Sequence, residues 1–506
     1  MNIALLKRCN PLGGITTIMD RKKVILISLL SLFITVVLLR LPSLFEPFTY
    51  GDEGVYLTLG QALRRGLVFY RDIHDNKPPL LYLLAAATYN FSLYRVLLFS
   101  WSLITIFAFY KLSEIIFPKN DKAAFLATTL FAVLTSIHTF EGNIANAENF
   151  MMLPTIIAFT LLFEKESEGE SEKNASNPMI FFIGTLFALA VLFKAPAGFD
   201  FAAGLTLLFL WAKKINFFSL VKKYLFLILG FIFPISLTIV YYAWTHALKD
   251  YLSAAFLQNI GYLSSWSGEK TKATGLPFPL LERAGLVFLV VLVLFVLRNK
   301  FTSATKLVIT WFSFSLFGAL LSSRPYPHYL LQPLAPLALS FGFLYQKKEK
   351  LVPIVLTATF IFSFLTFKFW LYPNLPYYEN FYLFALKERS RSDYLNYFGT
   401  GTQDLYQTAS FLKANTSYNE KTFIWGNQPS IYALAERAPV GRYTVAYHII
   451  DFRAYTQTIE ALNQDSPRYV VSTGEEIQSF PAFNSLIDDQ YHLVKEFGKI
   501  KIYERY

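Results

Sequence analysis

Apolar runs about as long as a bilayer is thick recur along this chain. They occupy residues 24–40, 96–117, 122–139, 149–163, 179–193, 197–212, 224–243, 281–297, 306–322, 329–345 and 351–371. A helix needs roughly 20 predominantly apolar residues to cross the hydrocarbon core. Composition agrees: only 16% of the 506 residues are charged, where a soluble domain carries about 25%. The pattern predicts a polytopic α-helical membrane protein.

Residues 79–92 are apolar but short for a span. Charge bias decides their fate. Suppose Arg21-Lys22-Lys23 is inside and 79–92 does not cross. The inside loops 118–121, 164–178, 213–223, 298–305 and 346–350 then hold Lys119, Lys213, Lys214, Lys222, Lys223, Arg298, Lys300, Lys347, Lys348 and Lys350. That is the positive-inside distribution. A crossing at 79–92 would put those loops outside. The segment is therefore read as an interfacial or re-entrant helix, leaving eleven spans. The same rule accounts for the net charge of +11 without a nucleic-acid partner, since no basic patch interleaved with aromatics occurs. The single cysteine, Cys9, excludes an internal disulfide and a cysteine-based metal cluster. Residues 1–20 are expected to be a cytoplasmic tail, not a cleavable signal. The acidic loop 164–178 reads as a disordered linker.

Residues 21–371 form the expected membrane domain, with a first outside loop at 41–95. Composition shifts near Tyr372-Pro373-Asn374. Helical patterns at 403–414 and 451–463 then alternate with strand-like runs at 422–425, 443–446 and 468–471. Residues 372–506 are read as a small extracytoplasmic α/β domain.

The polar residues of interest gather on the outside. Asp52 and Glu53 follow the first span. Asp52 can cap the amphipathic stretch 55–63 or accept a proton from an attacking hydroxyl. Lys77, before Pro78-Pro79, can snorkel to headgroups or bind phosphate. Its loop also carries Arg64, Arg65, Arg71, His74 and Asp75. Asn146 and Glu148 open the span 149–163, as helix caps or as site residues. Lys194 sits between two spans with almost no loop. Positive charge does not normally collect on that side, so it calls for an anionic partner. Arg324 and His328 lie in a short Pro-containing loop, either an ordinary turn or a forked phosphate ligand. The sequence contains no Gly-rich phosphate loop, Asp-x-Asp, His-Glu-x-x-His or Gly-x-Ser-x-Gly. Soluble-type nucleotide-sugar chemistry, P-loop transport and serine hydrolysis all lose support.

Taken in order, several motifs resemble the GT-C membrane glycosyltransferases. The nearest branch holds the protein O-mannosyltransferases and the lipid A aminoarabinose transferases. The motifs are Gly51-Asp52-Glu53-Gly54, Lys77-Pro78-Pro79-Leu80-Leu81-Tyr82, Ala145-Asn146-Ala147-Glu148, Phe193-Lys194-Ala195-Pro196, Arg324-Pro325-Tyr326-Pro327-His328-Tyr329 and Phe423-Ile424-Trp425-Gly426-Asn427-Gln428-Pro429. The resemblance implies transfer of a sugar, with inversion, from a polyprenyl-phosphate carrier to an acceptor at the extracytoplasmic face. Asp52 would be the base, with Glu53 beside it. Lys77, Lys194, Arg324 and His328 would hold the carrier phosphate, and Asp75, Asn146 and Glu148 would support them. The aminoarabinose transferases carry a metal-binding glutamate where this chain has Asn76. No cofactor is required by this reading, and a divalent metal is an open alternative. Expected partners are the polyprenyl-linked donor, a lipid, glycan or protein acceptor, and the bilayer. A flippase would need polar residues along a path across the membrane and internal repeats, and the sequence has neither. A glycan-binding module anchored by the spans would need far fewer of them.

Overall fold

The computed structural model describes residues 11–167, 177–212, 217–258, 279–322, 324–346, 348–474 and 479–506. Cys9, most of the acidic linker, Lys213, Lys214, Ser323 and Lys347 lie outside them. Each of the eleven apolar runs holds a helix over most of its length, though the runs 122–139, 306–322 and 351–371 leave their α-helix at Leu134, Ala319 and Thr366. In chain order the helices are α1 (Pro11–Arg40), α2 (Gly51–Arg64), α3 (Leu80–Thr88), α4 (Phe91–Ile116), α5 (Asp121–Leu134), α6 (Ala147–Ser167), α7 (Asn177–Phe193), α8 (Gly198–Trp211) and α9 (Phe217–Trp244), followed by Leu280–Val296, Ser303–Ala319, Leu331–Phe341 and Leu351–Thr366. Among the described residues, four stretches, Lys23–Leu44, Phe91–Ile116, Ala147–Ser167 and Phe218–Trp244, are long and apolar enough to cross a membrane. Residues 11–20 of the expected tail are helical and continuous with the rest of α1.

The segment 79–92 is not one helix. The chain breaks at Tyr89, whose φ is 70°, and Asn90 then caps α4 by accepting from the Leu93 N–H. Nine residues of α3 rise only about 13 Å, well short of a span. Within the bundle α7 and α9 approach most closely at their glycines. A Cβ on Gly184 would lie 2.1 Å from the Leu227 carbonyl oxygen, and one on Gly230 would lie 1.9 Å from that of Phe181. Small residues permit such backbone approach between helices in lipid. Large apolar side chains point outward instead at Phe218, Val240, Phe288 and Leu351, as a lipid-facing surface requires.

The C-terminal region carries a five-stranded sheet of order β2-β1-β3-β5-β4. The strands are β1 (Lys421–Trp425), β2 (Ala438–Pro439), β3 (Tyr469–Ser472), β4 (Tyr491–Phe497) and β5 (Ile500–Arg505). β1 runs parallel to β2 and β3, and β5 pairs antiparallel with β3 and β4. The run 443–446, read as a strand, instead leads into helix Ala446–Asp451. There the Asn427 side chain accepts the Tyr447 N–H at 3.2 Å, which fixes a helical start.

The sheet region is seated on the segment between α1 and α4. Along α2, Thr58 Oγ1 donates to the Pro429 carbonyl at 3.0 Å and Gln61 Nε2 to that of Ala433 at 3.0 Å. A Cβ on Gly54 would meet Ser430 N at 2.7 Å, so only glycine lets α2 and helix Ser430–Ala435 meet. The Tyr406 hydroxyl accepts the Phe48 N–H at 2.9 Å, and the Arg442 carbonyl accepts the His74 N–H at 2.9 Å.

Candidate active site

α2 starts directly after Tyr50, which occupies the N-cap position without a side-chain cap. Asp52 and Glu53 therefore lie in the first turn, where carboxylates complement the helix dipole. Asp52 points toward the loop before α3. It accepts from the Tyr56 hydroxyl at 2.9 Å and lies 3.4 Å from Lys77 Nζ. The Lys77 carbonyl accepts the Tyr70 hydroxyl at 2.8 Å, and its ammonium stands 5.0 Å from the centre of the Tyr56 ring. Burial pushes the Asp52 carboxyl up, but the charges of Lys77 and His328 and the Tyr56 hydrogen bond outweigh it and hold it below its usual value. Burial likewise disfavours the Lys77 ammonium, and Asp52 and Asp75 outweigh that, raising it above the ordinary lysine range. The two side chains form a charged pair with Asp52 still 34% exposed, so a hydroxyl can reach it.

Glu53 turns inward. One oxygen takes Arg95 Nη2 at 2.7 Å and Nε at 3.2 Å, and the other takes the Ala145 N–H at 2.9 Å. Both side chains are buried. Asp75 is also occupied within the protein. It accepts from the Tyr82 hydroxyl at 2.6 Å and the Asn76 N–H at 2.7 Å, and it faces His448 Nε2 at 3.9 Å.

A second group converges from the later loops. Lys194, in the turn between α7 and α8, pairs with Glu148 and stands 3.9 Å over the Tyr329 ring. Burial lowers the Lys194 ammonium from its usual value, and Glu148 offsets only part of this. His328 Nε2 lies 3.8 Å from the same Glu148 oxygen, while Nδ1 contacts Glu141. The Tyr50 hydroxyl donates to Glu141 at 3.2 Å and accepts Asn146 Nδ2 at 3.2 Å. Asn146 Oδ1 is buried without a hydrogen-bond partner among the described residues. Arg324 is exposed at the head of the loop that brings in His328. The charge of His328 acts on Asp52 and that of Glu148 on Lys77, so the two groups share one electrostatic site. Among the described residues, no three His, Cys, Asp or Glu side chains are placed to hold a metal ion.

No family model matches the chain, and no curated protein matches it in sequence. Solved structures do match its fold. ArnT from Cupriavidus metallidurans bound to undecaprenyl phosphate superposes with a TM-score of 0.58 at 11% identity, covering 94% of this chain and 97% of that one. The apo state of the same protein gives 0.54 at 10% identity, with the same coverage. The archaeal oligosaccharyltransferase AglB from Archaeoglobus fulgidus lies further off, at 0.48 and 13% identity over 96% of this chain and 74% of that one. The fold is GT-C-like.

Two features of this site were not singled out in the sequence. Glu141 gave no motif. Its signal was an acidic residue in the short loop 140–148, close to Asn146 and Glu148. Arg40 was read as the end of a span. It is buried and staples that loop, donating to Thr135 O at 2.6 Å, Gly142 O at 2.9 Å and Ser136 Oγ at 3.1 Å. An apolar groove of about 320 Å³ runs between α8 and helices Leu280–Val296 and Ser303–Ala319, lined by Phe199, Phe288, Phe314 and Phe317.

Glu46 carries a pH dependence. Burial pushes its carboxyl up to about 7, against the pull of Arg95 and hydrogen bonds from Tyr377 (3.0 Å) and Asn143 (3.2 Å). The folded state therefore binds more protons than the unfolded chain between the ordinary carboxylate value and about 7. Its contribution is full below the ordinary value and is lost as pH rises toward 7. Glu46→Gln should abolish that loss and gain up to about 3 kcal/mol above neutrality. Thermal unfolding in detergent across pH measures it, and an unchanged pH profile would refute the assignment.

Proposed function

We propose that this protein is an inverting membrane glycosyltransferase. It moves a sugar from a polyprenyl-phosphate carrier to an acceptor hydroxyl at the extracytoplasmic face. The observation that carries this reading is the convergence of the Asp52–Lys77 pair with Lys194 and His328 in one site of a GT-C-like fold. Undecaprenyl phosphate bound to ArnT supports the carrier class, and the apolar groove offers room for a prenyl chain.

In the proposed step the acceptor oxygen attacks the anomeric carbon while Asp52 takes its proton. The carbon–oxygen bond to phosphate breaks, and its electron pair leaves with the carrier phosphate. Lys77, Lys194, Arg324 and His328 neutralise the departing charge, and fixed cations aimed at developing charge are a large catalytic contribution. Glu148 holds Lys194 until phosphate competes for it. Glu53 acts through Arg95 and the Ala145 amide as a positioning residue. Asp75 and Asn146 likewise hold the walls of the site. Eleven spans, with the site and the C-terminal domain outside, fit the lysine and arginine distribution. The reading needs no metal, and chelation of divalent ions during turnover tests that alternative.

The test is transfer of labelled sugar from a panel of polyprenyl-phosphate sugars in membranes holding wild type or Lys77→Ala. Wild type should transfer from at least one donor. Losing a charge-assisted contact worth about 1.5–3 kcal/mol should raise the Lys77→Ala donor KM roughly tenfold to a hundredfold. An unchanged donor KM would remove Lys77 from the phosphate clamp. Absence of transfer by folded wild type, together with carrier movement between leaflets, would carry the flippase reading instead.

A further inference from the structure

We infer that Glu141 is the positioning residue of His328, turning that ring so that Nε2 presents itself to an oxygen of the carrier phosphate. This rests on the phosphate-clamp reading above, which names His328 but leaves Glu141 without a role.

The geometry leaves the ring little choice. Tyr326 stacks on it with centroids 5.6 Å apart and 17° between planes, and Tyr329 meets it edge-on at 4.8 Å. Glu141 takes the Nδ1 edge. A carboxylate there accepts a hydrogen bond, so Nδ1 carries the proton, and Nε2 can donate only when the ring is protonated at both nitrogens. Nε2 looks toward Glu148 at 3.8 Å, beyond hydrogen-bond reach. That gap lies beside the Lys194 ammonium, which pairs with the same Glu148 oxygen. A phosphate oxygen entering there would meet Lys194 Nζ and His328 Nε2 together, with Glu148 giving way. The charged groups facing His328 are thus Glu141 from its loop, Glu148 from α6, Asp52 from α2 and, across Glu148, Lys194.

Glu141 is itself held as an orienting group. Its backbone sits in the left-handed region at φ 55°. Its carbonyl accepts Asn149 Nδ2 at 3.3 Å, its carboxylate accepts the Tyr50 hydroxyl at 3.2 Å, and Arg40 clamps the next residue, Gly142. A hydrogen bond made by one ring nitrogen sets the tautomer that the other presents.

The experiment measures binding of undecaprenyl phosphate to the purified full chain for wild type, Glu141→Gln, His328→Ala and the double variant. Glu141→Gln keeps the shape and removes the charge. It should weaken binding about tenfold, the scale of weakening one hydrogen bond to a charged group. The double variant should bind no more weakly than His328→Ala alone, because residues that act as a unit are not additive. Full additivity would show that Glu141 acts through something other than His328 and would overturn the inference, as would unchanged binding in Glu141→Gln. Nitrogen NMR of labelled histidine supplies a readout without ligand. The His328 signal, assigned by its loss in His328→Ala, should show an Nδ1-bonded proton in wild type and lose it in Glu141→Met. That result in a wild type unable to bind undecaprenyl phosphate would keep the positioning role and discard the carrier reading. An Nδ1 without a proton would discard the positioning role itself.

Discussion

Asp52→Asn is expected to lower sugar transfer by about 10²- to 10⁴-fold, the range ascribed to a lost general base, while binding of undecaprenyl phosphate stays equal or tightens. The two halves of that result come from one contact. Asp52 lies 3.4 Å from Lys77 Nζ. An amide in its place cannot accept the acceptor's proton, so turnover falls. It also no longer neutralises Lys77, so the ammonium is freer to meet phosphate. A residue that only braced α2 would give neither effect, since asparagine fills the same space and can still accept the Tyr56 hydroxyl. Wild-type turnover in the Asn variant would remove Asp52 from the chemistry. Because the carboxyl is held below its usual value by Lys77 and His328 against burial, it should stay ionised well into acid, and wild-type activity should persist there until Asp52 is protonated.

The site was legible where a charge stood against its surroundings. Asp52, Lys77 and Lys194 are polar residues at apolar boundaries, and a sequence displays that contrast. Their pairing was not legible. Lys77 reaches Asp52 across 25 residues and Lys194 reaches Glu148 across 46, and no local pattern encodes which cation meets which anion. Glu141 was missed because its importance lies in its partner, 187 residues away. Each long apolar run marked a helix, because such a stretch has few other options, whereas α2 and α3 lay outside the runs. The C-terminal sheet was harder. β4 is largely exposed along its length, so its apolar and charged residues do not alternate cleanly, and the β4–β5 hairpin left no signal. At 443–446, β-branched and aromatic content suggested a strand. The side chain of Asn427, distant in sequence, decided for a helix start.

Arg95→Met should be the most destabilising single change near the site, costing about 3–5 kcal/mol, as when one member of a buried ion pair is removed. The arginine does more than pair with Glu53. Nη1 also donates to the carbonyls of Ser43 (3.1 Å) and Glu46, Nη2 to that of Pro47 at 3.4 Å, and the guanidinium lies 4.6 Å from the centre of the Phe48 ring. Its loss strands a carboxylate and several carbonyls at once, and with them the turn that delivers Tyr50 and Asp52 to the site. Low yield and early thermal unfolding in detergent are the expected signs. Replacing Glu53 with Met in the same chain removes the stranded charge and should recover part of the lost stability, though not the hydrogen bonds to the 43–47 carbonyls. The double variant also separates two roles for Glu53. If it serves only to hold Arg95 and the Ala145 amide, the refolded double variant keeps measurable sugar transfer. If Glu53 itself contacts the reacting groups, recovered folding comes with transfer as low as in Asp52→Asn. That second outcome would return Glu53 from the scaffold to the chemistry.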